Sequence, residues 1–155
     1  MKKKKLYKKS FSKKKALKVL KSFTLPDGSR RESSIEKKIR IFLERENIPF
    51  IQEYPICRNN KLRYYDFLIT NGQVSFAIEV HGKYWHCLDY LEGKKPYNKL
   101  TKTQKKNLRN DKFKTNMVKK LGIPLLILWE DDINYKFVKT TKKIIDMCRE
   151  MKINY

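Results

Sequence analysis

Asp66 and Glu79 stand where a carboxylate is costly. Asp66 lies within YYDFLI (Tyr64–Ile69) and Glu79 within SFAIEVHG (Ser75–Gly82), two apolar stretches whose composition reads as β-strand. A carboxylate embedded in such a strand pays desolvation unless a cation or a hydrogen-bond donor compensates it. Asn71-Gly72 between the stretches predicts a two-residue hairpin turn, which makes the two acids neighbours. Together they form a hard, oxygen-rich site suited to Mg²⁺ or Mn²⁺. His81 follows Glu79 by two residues, so its side chain emerges on the same sheet face. A carboxylate pair with a basic group beside it is what metal-assisted phosphodiester hydrolysis requires. The metal activates water and neutralises phosphate charge, and the histidine moves a proton or stabilises the oxyanion. Each signal alone has a plainer explanation, because a single Asp near a strand end is commonly a turn or surface residue. The combination across one hairpin is what points to chemistry.

The next six residues add aromatic surface. HGKYWH (His81–His86) brings Lys83, Tyr84, Trp85 and His86 to the place where a strand runs into a loop. An isolated Trp usually anchors a core, yet in a basic chain aromatics beside a metal site can stack on bases or wedge between them. The chain is very basic. Its 155 residues hold 38 Lys+Arg against 16 Asp+Glu, a net charge of +22. That excess favours a polyanionic partner, double-stranded DNA first. No apolar run reaches the roughly 18–20 residues needed to span a bilayer, and the basic N-terminus lacks a hydrophobic signal core. A soluble, intracellular protein is therefore expected. Cys57, Cys87 and Cys148 are odd in number and widely spaced, giving neither a disulfide framework nor a CxxC metal pair.

Several elements must position these groups. Residues 1–26 carry 11 Lys and no acid, so they read as a basic, flexible DNA-binding arm, closed by the turn signal Pro26-Asp27-Gly28-Ser29. A single domain is expected over 27–155. Its first helix starts at Ser33, where Ser33 and Glu36 fit a capping box and Ile35, Ile39, Phe42 and Leu43 form an apolar stripe, and it ends near Asn47. Strands are expected at Phe50–Ile56, Tyr64–Thr70 and Val74–Val80. A lysine-rich helix over Lys99–Leu121 stops at Gly122 with Pro124 beyond. Leu125–Trp129 reads as a buried strand and Phe137–Met151 as a closing helix. The order α-β-β-β-α-β-α predicts a small α/β domain, a mixed sheet flanked by helices, with its first three strands in a meander.

SSIEKKI, YYDFLI, IEVHGKYWH and RNDKFKTNMVKKLGIPLLILWE together resemble, in order and spacing, the Vsr DNA endonucleases and the related EDxHD homing endonucleases of the PD-(D/E)XK nuclease superfamily. The resemblance covers about residues 33–130 and implies a PD-(D/E)XK, restriction-endonuclease-like core. It implies that Asp66 binds metal, that the Val80 backbone carbonyl reaches the same metal, and that His81 is the catalytic histidine. Glu36 matches an active-site glutamate, His86 a second active-site histidine, and Asp111 the last acid of the pattern. Tyr84 and Trp85 match an aromatic pair inserted beside the target base pair. Asp111 has a plainer alternative as a solvated partner of Lys114, three residues on.

The departures matter too. Lys83 and Asp131 stand where the Vsr enzymes place cysteines for a structural zinc, so no structural zinc is expected. Glu79 replaces an uncharged residue and moves the site towards a two-carboxylate arrangement, as a second metal ligand. Both changes favour the homing-endonuclease branch. The expectation is a Mg²⁺-dependent DNA endonuclease, with Lys83, Lys105, Lys106 and Arg109 among the cations contacting DNA. A mismatch-directed nickase and a non-catalytic basic nucleic-acid-binding protein remain the alternatives. Lysine richness and the basic arm suit a phage or mobile element.

Overall fold

The structure, a computed structural model, describes residues 32–155; the arm expected over 1–26 and the turn after it lie outside the described residues. A compact unit spans Ser34–Tyr155. Helix α1 (Ser34–Arg45) buries Ile35, Ile39, Phe42 and Leu43, the stripe that its spacing predicts. Strands β1 (Phe50–Arg58) and β2 (Lys61–Thr70) form a hairpin longer than expected, joined at Asn59-Asn60. Both Asn residues have positive φ, 49° and 59°, the backbone of a type I′ turn. The connection from β2 to β3 (Ser75–His81) corrects the two-residue turn. Thr70 pairs with Ser75, so residues 71–74 form a four-residue loop, and β3 starts one residue later than expected. The Asn71 Oδ1 accepts the Gln73 and Val74 N–H groups, an Asx turn that consumes the residue a two-residue hairpin would have used.

Beyond β3 come a short helix α2 (Leu88–Leu91), a 3₁₀ turn over Tyr97–Lys99, and helix α3 (Lys102–Leu121). Helix α3 starts three residues after the expected Lys99, because Thr101 and Gln104 form a reciprocal capping box there. It stops as expected at Gly122, whose φ of 71° and ψ of 22° fit the left-handed C-cap. Strand β4 (Leu125–Trp129) runs directly into helix α4 (Glu130–Tyr135), and helix α5 (Phe137–Glu150) closes the chain.

The result is a mixed α/β domain with one four-stranded sheet in the order β1-β2-β3-β4. The first three strands are antiparallel and β4 is parallel to β3. The larger apolar cluster joins α1 to Phe67, Ile69, Phe76, Ile78, Val80 and Leu128 of the sheet and to Ile144 and Cys148 of α5. A smaller cluster packs Met117 and Val118 of α3 against Tyr65, Leu68 and Ala77. Helices thus flank the sheet, and each buried core side chain of this size contributes roughly 1.5–3 kcal/mol. Among the described residues no helix is long and apolar enough to cross a membrane.

Candidate active site

The β2–β3 ladder ends where the two strand carboxylates stand. Its last paired residues are Phe67 and Ile78, so Asp66 and Glu79 occupy the next position along the two strands. There the Asp66 side chain takes over as acceptor: its Oδ2 receives the Val80 N–H at 2.7 Å. Burial, then the charge of Glu79, pushes the Asp66 carboxyl up to about 8 against the pull of Lys114 and of that N–H.

Glu79 is 4% exposed. Its Oε2 accepts from the Lys114 Nζ of α3 at 2.5 Å, while its Oε1 has no hydrogen-bond partner among the described residues. Burial raises its proton affinity and Lys114 opposes the rise. Lys114 is therefore not a solvated partner of Asp111. Its side chain is 12% exposed and lies over the Tyr65 ring, 4.9 Å from the centroid.

Asp111 turns instead to the HGKYWH loop. His86 Nδ1 lies 2.7 Å from Asp111 Oδ2, a hydrogen bond in which the imidazole N–H donates and the carboxylate accepts, which selects the Nδ1–H tautomer. The His86 ring stacks on His81 at 3.8 Å with 10° between planes, and Trp129 meets His81 edge-on at 5.2 Å. His81 Nε2 is 3.8 Å from Glu79 Oε2, as the same-face argument requires. Burial, reinforced by the neighbouring His86, pulls His81 down to about 3, so this ring is neutral at physiological pH. Donor atoms of His81, His86 and Asp111 all lie within 4.8 Å of one another.

The loop is held from below by α3. The Tyr84 and Trp85 carbonyls accept from the side-chain amides of Gln104 (2.9 Å) and Asn107 (3.1 Å). Those anchors leave both aromatic rings outside, each 56% exposed and meeting edge-to-face at 5.0 Å. Trp85 is thus no core anchor. Lys83, expected to contact DNA, is ion-paired instead, 3.3 Å from Asp131 and 4.0 Å from Asp89. Lys106 and Arg109 are exposed on α3, and the Lys105 ammonium sits 4.9 Å from the Tyr97 ring centroid.

Glu36 and Glu53 complete the acidic side. The charges of Asp66, Glu36, Lys114 and Glu79 all act on Glu53, and burial with the first of these carries it up to about 7. Sequence reasoning passed over Glu53, which sits in an ordinary-looking strand, and treated Lys114 as surface. Nothing local flagged either residue. The donor chemistry of these carboxylates suits a hard divalent cation, with one buried Glu79 oxygen unpartnered among the described residues, whereas the group whose donor atoms lie within ligand reach of one another is His81, His86 and Asp111.

No protein-family model matches the chain, and no curated protein matches it. Among solved structures, the chain is similar to the catalytic domain of the homing endonuclease I-Bth0305I, with a TM-score of 0.51 and 19% identity. The match covers 79% of this chain and 100% of that one, so the two share a fold.

Proposed function

We propose that this protein is a metal-dependent DNA endonuclease of the homing type, related to the Vsr-like, EDxHD branch of the PD-(D/E)XK superfamily. One observation carries the reading: Asp66 and Glu79 meet the His81–His86–Asp111 group at one end of the sheet, in a chain of net charge +22. The shared fold with a homing-endonuclease catalytic domain supports it.

Asp66, Glu79 and the Val80 carbonyl would hold Mg²⁺ or Mn²⁺, with Glu36 as a supporting acid. When bound, such an ion supplies charge neutralisation at the scissile phosphate and lowers the pKa of water. His81, neutral at pH 7, accepts or returns a proton through Nε2. Asp111 fixes the His86 ring, and the stacked His86 in turn orients His81. Tyr84 and Trp85 press against the duplex, while Lys105, Lys106 and Arg109 contact phosphates, which position the duplex without reading its sequence.

The test is incubation with supercoiled plasmid, and with DNA from the gene's own neighbourhood, in Mg²⁺ or EDTA. Mg²⁺-dependent nicking or linearisation is expected, abolished in Asp66→Ala with DNA affinity nearly intact. Full activity of that variant overturns the site assignment. Binding without cleavage on every substrate favours the non-catalytic reading, and cleavage confined to T·G-mismatched duplex favours the nickase.

A further inference from the structure

Four side chains of α3 share one stripe of the helix, and each holds a different part of the site. Gln104, Asn107, Asp111 and Lys114 are spaced i, i+3, i+7 and i+10, which keeps them within about 80° of one another around the axis. Gln104 Nε2 donates to the Tyr84 carbonyl at 2.9 Å and Asn107 Nδ2 to the Trp85 carbonyl at 3.1 Å. Asp111 takes His86 and Lys114 takes Glu79. The first three helix residues therefore grip three consecutive loop residues in order, and the last two hold the catalytic group.

The ends of the loop are tied as well. The Lys83 N–H donates to Glu130 Oε2 at 3.0 Å, and the buried Cys87 places its Sγ 3.6 Å from the Gln104 carbonyl. Every residue from Lys83 to Cys87 is thus held by α3 or α4. Gln104 itself is 3% exposed, and its Oε1 accepts the Thr101 N–H in the capping box while Nε2 reaches the loop. The two rings carried on this backbone nonetheless face outward. A surface carbonyl can be satisfied by water, and exposed rings forgo the gain of burial, so the anchoring does not serve the core. A held backbone beneath exposed rings is a pre-organised contact, ordered before its partner arrives.

We propose that Gln104 and Asn107 are positioning residues for the DNA duplex. Through the Tyr84 and Trp85 carbonyls they fix the aromatic pair relative to His81, His86 and Glu79, which the same stripe of α3 holds. Contact of the rings with the duplex then sets where the scissile phosphate lies against the catalytic group. The proposal rests on the nuclease reading above and extends it to two residues outside the resembled motifs.

The test is a double-mutant cycle of Asn107→Leu with Trp85→Ala in the full chain. It is read as kcat/KM for duplex cleavage and, without DNA, as the fluorescence anisotropy of Trp85, assigned by difference against Trp85→Phe. Leucine keeps the size of asparagine and removes the donor. Asn107→Leu is expected to lower kcat/KM about three- to tenfold and to lower the Trp85 anisotropy. In the Trp85→Ala chain it should cost nothing further, a coupling that a merely structural role would not produce. Gln104→Glu paired with Tyr84→Ala gives the second cycle, since glutamate keeps the capping box and, ionised, cannot donate to the Tyr84 carbonyl. Equal losses in both backgrounds, or wild-type kcat/KM or anisotropy in Asn107→Leu, overturn the positioning role and leave the nuclease reading standing. Absence of cleavage by wild type, on plasmid and on DNA from the gene's own neighbourhood, overturns the nuclease reading itself.

Discussion

Lys114→Met isolates the interaction that keeps Glu79 charged. The pair is 2.5 Å apart, with side chains 12% and 5% exposed, so little water can replace the ammonium. Methionine keeps most of the lysine stem and its packing against Tyr65. What it removes is the cation, leaving Glu79 with one oxygen already orphaned and the other newly so. Removing one partner of a buried ion pair costs about 3–5 kcal/mol. For a domain of this size that corresponds to roughly 10–20 °C in Tm. The loss should be larger at pH 8 than at pH 5.5, because Glu79 can relieve it by taking a proton. Adding Glu79→Gln to the same chain should recover most of the stability, since the buried charge disappears along with its partner. Urea denaturation in EDTA, run on the four members of the double-mutant cycle, measures both effects. A loss below about 1 kcal/mol, the size of an exposed pair, would refute the reasoning. So would a double variant no more stable than Lys114→Met.

The metal-free protein should also lose stability as pH rises. Asp66 is held up at about 8 by burial and then Glu79, and Glu53 at about 7 by burial and then Asp66, against reference values near 4. Between roughly pH 4 and pH 8 the folded state keeps protons that the unfolded chain releases, so the slope is negative. Melts in EDTA over pH 5–8.5 check this, and a Tm that rises over that range contradicts it. Mg²⁺ should raise Tm more at pH 8 than at pH 5.5. Trp85→Ala should leave Tm within a degree or two, since the ring is exposed, while weakening kcat/KM on duplex DNA by the 1–3 kcal/mol, about 5- to 150-fold, of one lost stacking contact. Gly122→Ala should cost about 1–2 kcal/mol in urea melts, because its φ of 71° is left-handed and the site is otherwise open.

The sequence by itself determined most of the scaffold and brought together one half of the candidate site. The apolar stripe of α1, the glycine stop of α3 and the apolar run of β3 are local patterns, and each reappears in the structure. Asp66, Glu79 and His81 were legible because a short connection forces neighbouring strands together and alternation sets the face. Turn chemistry was less legible. Asn71-Gly72 carries a hairpin signal but forms an Asx loop, whereas Asn59-Asn60 makes the tight turn, since strand register and side-chain hydrogen bonds choose between turns of similar composition.

The tertiary structure alone decided the partners. Lys114 reaches Glu79 across 35 residues, and Asp111 takes His86 across 25, because the rotation of α3 over the sheet selects which side chains point inward. In the sequence Asp111 and Lys114 look like each other's partners, three apart on one helix. Packing separates them, since Lys114 meets the buried Glu79 while Asp111 meets His86. Glu53 was invisible for a related reason. Its place beside Asp66 depends on the β1–β2 register and on a φ of +51°, and neither is written in the local run FIQEYPI.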